Sequence, residues 1–162
     1  GAAITNSGDS YKVTSVVKDG VTWTYTYNNF QVVTNTPAGY IYDKVTVTGP
    51  NGYNQVYNIT PGTVSKPNVI ASSVDALGRT TSFGYDNYRL SRVTYPEGNY
   101  AEVTYDLYGN VSSKSTVAKP GSGLTTITES SGIDAAGCSQ YRVLCFRPTW
   151  YIDGRGKQTD YV

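Results

Sequence analysis

The chain has 162 residues, the length of one folded domain, and 13 basic against 12 acidic side chains. A net charge of +1 gives no attraction for nucleic acid or anionic lipid, so we predict no nucleic-acid partner. The sequence has no stretch of 18 apolar residues, so we predict no membrane insertion. Without histidine and with two cysteines, the chain lacks the ligands of an ordinary zinc site and the base of a Ser-His or Cys-His pair. We therefore predict no metal, no cofactor and no enzymatic activity.

The elements predicted along the chain are short β-strands. Apolar and polar residues alternate with a period of two, as in residues 21–27, where Val, Trp and two Tyr share one face and three Thr share the other. The same alternation occurs in residues 12–17, 40–48, 80–85 and 99–105. Glycine-containing turns separate these runs, and helix-forming stretches are nearly absent. The sequence predicts an all-β fold of antiparallel hairpins.

Aromatic side chains on these strands permit two interpretations. Trp23, Tyr25 and Tyr27, or Trp150 and Tyr151, are candidates for stacking against the sugar rings of a ligand. The alternative is that these rings pack the sheet itself, because the apolar face of a strand is usually buried. The sequence leaves both interpretations open.

The two cysteines, Cys138 and Cys145, lie close together in the sequence. If they stand opposite each other on an antiparallel hairpin, their Cβ atoms come within bridging distance. The spacing permits either a disulfide or two inert thiols, and a disulfide would indicate an oxidising compartment.

A repeated pattern supplies the most specific signal. An Asp-x-x-Gly turn is followed by an aromatic residue, and a Pro-x-Gly turn lies between two copies. Asp suits the turn because its carboxylate caps backbone amides, and Gly suits it because it adopts a left-handed conformation. This structural role is favoured over a catalytic carboxylate pair. Tyrosines in successive hairpins are expected to stack as ladders. The repeat residues are Asp75, Gly78, Tyr85, Asp86, Pro96, Gly98, Tyr105, Asp106, Gly109, Asp153, Gly156 and Tyr161.

These motifs resemble the YD repeats of RHS proteins, whose pattern is Asp-x-x-Gly-Arg followed by Tyr-Asp and a Thr-Tyr-Pro-x-Gly turn. Residues 138–162, which include Cys138, Cys145 and Trp150, resemble a cysteine-bearing insert of many RHS proteins. The resemblance divides the chain into a divergent hairpin region at 1–70, YD repeats at 71–117, and a region at 118–162. This last region holds a linker, the cysteine hairpin and the start of a further repeat. The three are expected to form one continuous structural unit.

The resemblance implies a curved sheet that forms part of a β-shell. It implies a non-catalytic segment of a bacterial, secreted or cell-surface protein, whose shell encapsulates or presents a toxin or effector used in interbacterial competition. The partners would be the rest of the parent polypeptide and an enclosed toxin domain. The alternative is a cell-surface adhesion or carbohydrate-binding module with a surface glycan as its partner.

Overall fold

The computed structural model describes residues 3–6, 12–32, 40–63, 65–133 and 145–161. The described residues form antiparallel β-strands with short 3-10 turns and no α-helix. The prediction of an all-β fold built from antiparallel hairpins is therefore confirmed. The chain divides into two compact units, Gly1–Phe83 and Gly84–Val162. No helix in the described part of the chain is long and apolar enough to cross a membrane.

The first unit contains a sheet whose strands lie in the order β1-β2-β3-β6-β7-β8-β9, and each neighbouring pair is antiparallel. β4 and β5 form a separate two-stranded sheet. A 3-10 turn, Pro50–Gly52, joins β6 to β7. The strands are β1 (Ala3–Asn6), β2 (Val13–Lys18), β3 (Val21–Asn28), β4 (Gln31–Val32), β5 (Tyr40–Ile41), β6 (Lys44–Thr48), β7 (Asn54–Thr60), β8 (Val69–Val74) and β9 (Thr80–Asp86).

The second unit begins within β9, at Gly84, and its further strands lie in the up-and-down order β10-β11-β12-β13-β14-β15. Each of the pairs from β10 to β15 is antiparallel. Short turns join β9 to β10, β10 to β11, β11 to β12 and β14 to β15. The strands are β10 (Arg89–Thr94), β11 (Tyr100–Tyr105), β12 (Val111–Val117), β13 (Ile127–Gly132), β14 (Trp150–Ile152) and β15 (Gln158–Asp160).

Few side chains are fully removed from water. In the described ranges the buried hydrophobic residues are Val45, Val47 and Cys145, and no buried polar or charged residue accompanies them. Val45 and Val47 lie on β6 opposite Tyr27 and Tyr25 of β3, and these four side chains share one face of the sheet. Most other strand residues are half-buried. In both units, therefore, the described strands are held together mainly by backbone hydrogen bonds between antiparallel neighbours, and the hydrophobic core is small.

The division between the compact units falls inside the region predicted as YD repeats, residues 71–117. The three predicted sequence regions stay predictions.

Candidate functional site: the repeat turns

The first repeat turn, residues 75–79, is a five-residue hairpin loop organised by one carboxylate. The amide of Gly78 donates to the carbonyl of Asp75 at 2.9 Å, and the amide of Asp75 donates to the carbonyl of Arg79 at 3.0 Å. Oδ1 of Asp75 accepts from the amides of Leu77 and Arg79, each at 2.9 Å. Gly78 has a φ of +78°, the left-handed conformation that closes such a turn at low steric cost.

The other two Asp-x-x-Gly sequences form the same turn at 106–110 and 153–157. Oδ1 of Asp106 accepts from two backbone amides, at positions two and four residues later, at 2.9 Å each. Oδ1 of Asp153 makes the same two contacts at 2.9 Å. The glycines of these turns, Gly109 and Gly156, have φ values of +90° and +79°. We call Asp75, Asp106 and Asp153 the turn aspartates.

Hydrogen bonds hold the turn aspartates in their ionised form. The side chain and amide of Arg79 lower the pKa of Asp75, and the amide of Lys157 and the side chain of Arg155 lower that of Asp153. Around Asp106, burial alone would raise the pKa, but the hydrogen bonds to its carboxylate outweigh that effect and lower it. Each carboxylate is thus engaged by its own turn. This arrangement differs from the paired, unequal carboxylates of a glycosidase.

The Pro-x-Gly turn has the same backbone as the Asp-x-x-Gly turns. The amide of Gly98 donates to the carbonyl of Tyr95, and the amide of Tyr95 donates to the carbonyl of Asn99, both at 2.9 Å. Gly98 has a φ of +88°. Tyr95 takes the place of the aspartate, and Pro96 sets the φ of the first central residue instead. The two sequence motifs are therefore two versions of one turn.

Asp86 differs from the turn aspartates, although the sequence suggested an equivalent turn position. It ends β9, and the following two residues, Asn87 and Tyr88, form the hairpin loop with φ values of 46° and 64°. Positive φ at both central positions is the pattern of a two-residue type I′ turn. This loop has no glycine, so Asn87 and Tyr88 themselves adopt the left-handed conformation.

The repeat tyrosines do not form the expected ladder at Tyr105. The guanidinium of Arg89 lies 4.7 Å from the ring centroid of Tyr105, and the Tyr105 hydroxyl donates to the carbonyl of Leu90 at 2.6 Å. A second such pair forms nearby, with Arg92 lying 4.1 Å from the ring centroid of Tyr100. A cation facing an aromatic ring is electrostatically favourable, and the neighbouring strand supplies it here. Tyr85 is half-buried, and Tyr161 is 51% exposed.

Each tryptophan covers a glycine, Gly132 at the end of β13 for Trp150 and Gly49 directly after β6 for Trp23. Trp150 of β14 pairs directly with Gly132 of β13, and a Cβ placed on Gly132 would lie 2.6 Å from Trp150 Nε1. Gly49 directly follows the residue that pairs with Thr24, and a Cβ there would lie 2.6 Å from Trp23 Cε3. An aromatic ring over a strand glycine fills the space left by the missing side chain. Both rings therefore pack against the protein.

The candidate stacking tyrosines also contact other side chains. The rings of Tyr27 and Tyr42 lie 5.4 Å apart in an edge-to-face arrangement. Tyr25 lies close enough to Tyr57 to help raise its pKa, although burial of Tyr57 is the larger cause. Burial and then the nearby Glu129 carboxylate raise the pKa of Tyr151. These tyrosines lie within side-chain clusters of the sheet.

Only one of the two cysteines falls in the described residues. Cys145 is 3% exposed and does not carry a free thiol. Cys138 lies outside the described residues, so the pairing of Cys138 with Cys145 stays a prediction. The carbonyl of Cys145 accepts a hydrogen bond of 2.5 Å from Nδ2 of Asn110, a residue that the sequence analysis did not single out. The signal for it in the sequence is that the turn at 106–110 ends in asparagine, where the other two Asp-x-x-Gly turns end in Arg79 and Lys157.

Comparison with protein families yields a match to the RHS repeat over residues 68–100. The chain contains an RHS repeat. The match covers the end of the first unit and the start of the second, including the turns at 75–79 and 95–99. The RHS resemblance predicted from the Asp-x-x-Gly and Tyr-Pro-x-Gly motifs is thereby confirmed. No match to the chain was found among curated proteins.

The RHS repeat is a structural repeat, and the described geometry is that of a structural site. In the described ranges, no group of three His, Cys, Asp or Glu residues is arranged to hold a metal ion. The carboxylates of the repeat are committed to turn amides and to guanidinium groups. The chemistry available at these turns is therefore the closing of hairpins.

Proposed function

We propose that this RHS-repeat chain is a non-catalytic wall segment of a β-shell that encapsulates or presents a toxin or effector. The observation that carries the proposal is the contrast between extensive strand pairing and a nearly absent core. The strands pair from one hairpin to the next, while the buried hydrophobic residues of the described part are Val45, Val47 and Cys145. Such hairpins gain stability from their neighbours in an array, as repeat proteins do.

The wall is proposed to act mechanically. A continuous layer of hydrogen-bonded strands has its backbone amides and carbonyls paired, which leaves a protease no extended segment to bind. The turn aspartates close hairpins at the ends of the strands and so keep the loops short. We place the parent protein outside the cytoplasm, at the cell surface or secreted, where a Cys138–Cys145 disulfide would persist. Its partners are the rest of the parent polypeptide and the enclosed domain.

Protease protection of the enclosed domain tests this function. The parent polypeptide is expressed whole and digested at a protease concentration that degrades the isolated C-terminal domain. We expect the enclosed domain to survive in the parent. Val47→Asp, which places a charge at a position where the side chain is 9% exposed, is expected to make the enclosed domain digestible. Val32→Asp, at a side chain 57% exposed, is the matched control and is expected to preserve protection. If the free domain and the enclosed domain are digested equally fast, the proposal that the chain forms a protective wall is refuted.

The adhesion alternative is tested separately on a glycan array. Because Trp23 and Trp150 pack over Gly49 and Gly132, we expect no glycan binding that depends on these rings. Glycan binding by the wild-type chain that disappears in Trp23→Ala or Trp150→Ala, with the fold retained by circular dichroism, would favour a carbohydrate-binding module over a wall.

A further inference from the structure

Among the connections that the structure describes in full, the longest joins β12 to β13 through residues 118–126. The hairpin loops at 87–88, 95–99, 106–110 and 153–157 have two or five residues. All of residues 119–128 are exposed, and residues 123–126 belong to no strand or turn. We call residues 118–126 the long connection.

The backbone of the long connection makes few hydrogen bonds. The amide of Ser122 donates to the carbonyl of Lys119 at 3.1 Å, and the amide of Leu124 donates to Oγ of Ser122 at 3.3 Å. These two hydrogen bonds leave the backbone of residues 125–126 without a partner among the described residues. Segments with so few contacts open at a low cost in free energy.

A cavity of about 480 Å³ lies between the long connection, the ends of β12 and β13 and the turn at 95–99. Leu124 and Thr125 line this cavity, so the middle of the connection borders open space and not a packed layer. A protease binds its substrate in an extended form, and exposed loops with small and polar residues are the preferred sites of such cleavage. The long connection meets these requirements.

Three exposed leucines allow the backbone to be compared at nearly equal side-chain exposure. Leu77 is 79% exposed, Leu107 is 100% exposed and Leu124 is 76% exposed. The first two lie in Asp-x-x-Gly turns, where a carboxylate binds two backbone amides at 2.9 Å each. Leu124 lies in a segment that has no such turn. The three sites therefore differ mainly in how firmly the backbone is held.

We propose that the long connection is a proteolytic cleavage site, cut at the bond between Leu124 and Thr125 by an endoprotease that has an apolar pocket for the residue before the cut. Leu124 fills this pocket, and the small residues Ser122 and Gly123 precede it. Hydrolysis adds one water molecule across the peptide bond, which leaves a carboxylate on Leu124 and an ammonium group on Thr125. This inference does not depend on the proposed wall function.

The cut leaves the paired strands in place. β12 and β13 pair over residues 113–116 and 127–130, and the hydroxyls of Ser115 and Thr128 are hydrogen-bonded at 2.9 Å. Both cysteines, at positions 138 and 145, lie on the C-terminal side of the cut, so a disulfide between them would not link the two fragments. The fragments therefore stay together through the pairing of β12 with β13.

Limited digestion of the whole chain with chymotrypsin tests the site, because this protease has an apolar pocket. Peptide-level mass spectrometry gives the rate of cleavage after each leucine, and each rate is divided by that for a synthetic peptide of the same local sequence. We expect this relative rate to be about thirtyfold higher after Leu124 than after Leu77 or Leu107. That is the factor for two ordinary hydrogen bonds, which an Asp-x-x-Gly turn must break before cleavage. Equal relative rates at the three sites would overturn the proposal.

Two variants separate the side chain from the backbone. Leu124→Ser changes an exposed side chain and is expected to abolish the cut between positions 124 and 125, whereas an unchanged rate there would overturn the role of Leu124. Asp106→Ala removes the carboxylate that closes the turn at 106–110. We expect it to speed the cut after Leu107 and to leave the cut after Leu124 unchanged; if the cut after Leu107 is not faster, hydrogen bonding of the turn is not what protects it.

Size-exclusion chromatography of the cut chain tests whether the fragments stay together. We expect the two fragments to elute together in native buffer and to separate in urea. Fragments that separate in native buffer would overturn the inference that the pairing of β12 with β13 survives the cut.

Discussion

Replacing Val47 by alanine tests whether the aromatic face of the first unit is a packed face. Val47 is 9% exposed and lies between Tyr25 of β3 and Gln55 of β7. Removing its two methyl groups costs about 1.6 kcal/mol in lost burial, at about 0.8 kcal/mol for each buried carbon. A residual cavity raises the expected loss to about 2 kcal/mol in the free energy of unfolding. For a unit of this size that corresponds to a fall in Tm of roughly 8–16 °C.

The measurement is thermal or urea unfolding followed by the near-ultraviolet signal of the aromatic cluster. Val32→Ala removes the same atoms from a side chain that is 57% exposed, so we expect a loss well under about 1 kcal/mol. The informative quantity is the difference between these two variants, because errors in the unfolded-state reference largely cancel. If Val47→Ala is no more destabilising than Val32→Ala, the reasoning about this face is refuted.

The remaining predictions concern the turns and the cysteines. Gly78→Ala and Gly109→Ala are each expected to lower the free energy of unfolding in urea by about 1 kcal/mol, because both glycines have a positive φ, +78° and +90°, that other residues adopt only at a steric cost; an unchanged unfolding midpoint in both variants would contradict this. The pKa values of the turn aspartates lie below the ordinary 3.8, so their contribution to stability is present above pH 3.8 and is lost as pH falls through the folded-state values. We expect Tm to fall steeply below about pH 4 in the wild type, and less steeply in a variant with asparagine at all three turn aspartates. The same slope of Tm against pH in both proteins would contradict this. Alkylation without reductant is expected to leave both cysteines unmodified, whereas labelling of two thiols would exclude the disulfide.

The features of the fold that are local in sequence could be predicted. An Asp-x-x-Gly turn closes within five residues, and its carboxylate reaches amides two and four positions away. The residue types at Asp75 and Gly78 therefore determine the geometry almost by themselves. Period-two alternation in residues 21–27 likewise requires only that the chain be extended. The same reasoning failed at Asp86, because a two-residue loop with positive φ at Asn87 and Tyr88 competes with the longer turn and has no glycine to indicate it.

The contacts that depend on strand register could not be predicted. Tyr105 faces Arg89 from a different strand, and the choice of a cation over a second ring depends on the pairing around β11. The hydrogen bond from Asn110 to Cys145 spans 35 positions of sequence. A one-residue shift between strands moves every side chain to the opposite face, so no local pattern determines such contacts. The sequence indicated only that Asn110 departs from the basic residues of the other copies.

The tryptophan and glycine pairs have a consequence for how the strands align. Strands rich in Thr, Ser and Val are chemically similar at several offsets, so hydrogen bonding alone discriminates weakly among alternative alignments. The indole of Trp150 fits where Gly132 leaves space, and a slip of two positions would press it against the side chain of Ser130 instead. Trp23 and Gly49 impose the same condition in the first unit. Each tryptophan–glycine pair therefore favours one strand register in a sheet whose strands are otherwise similar in sequence.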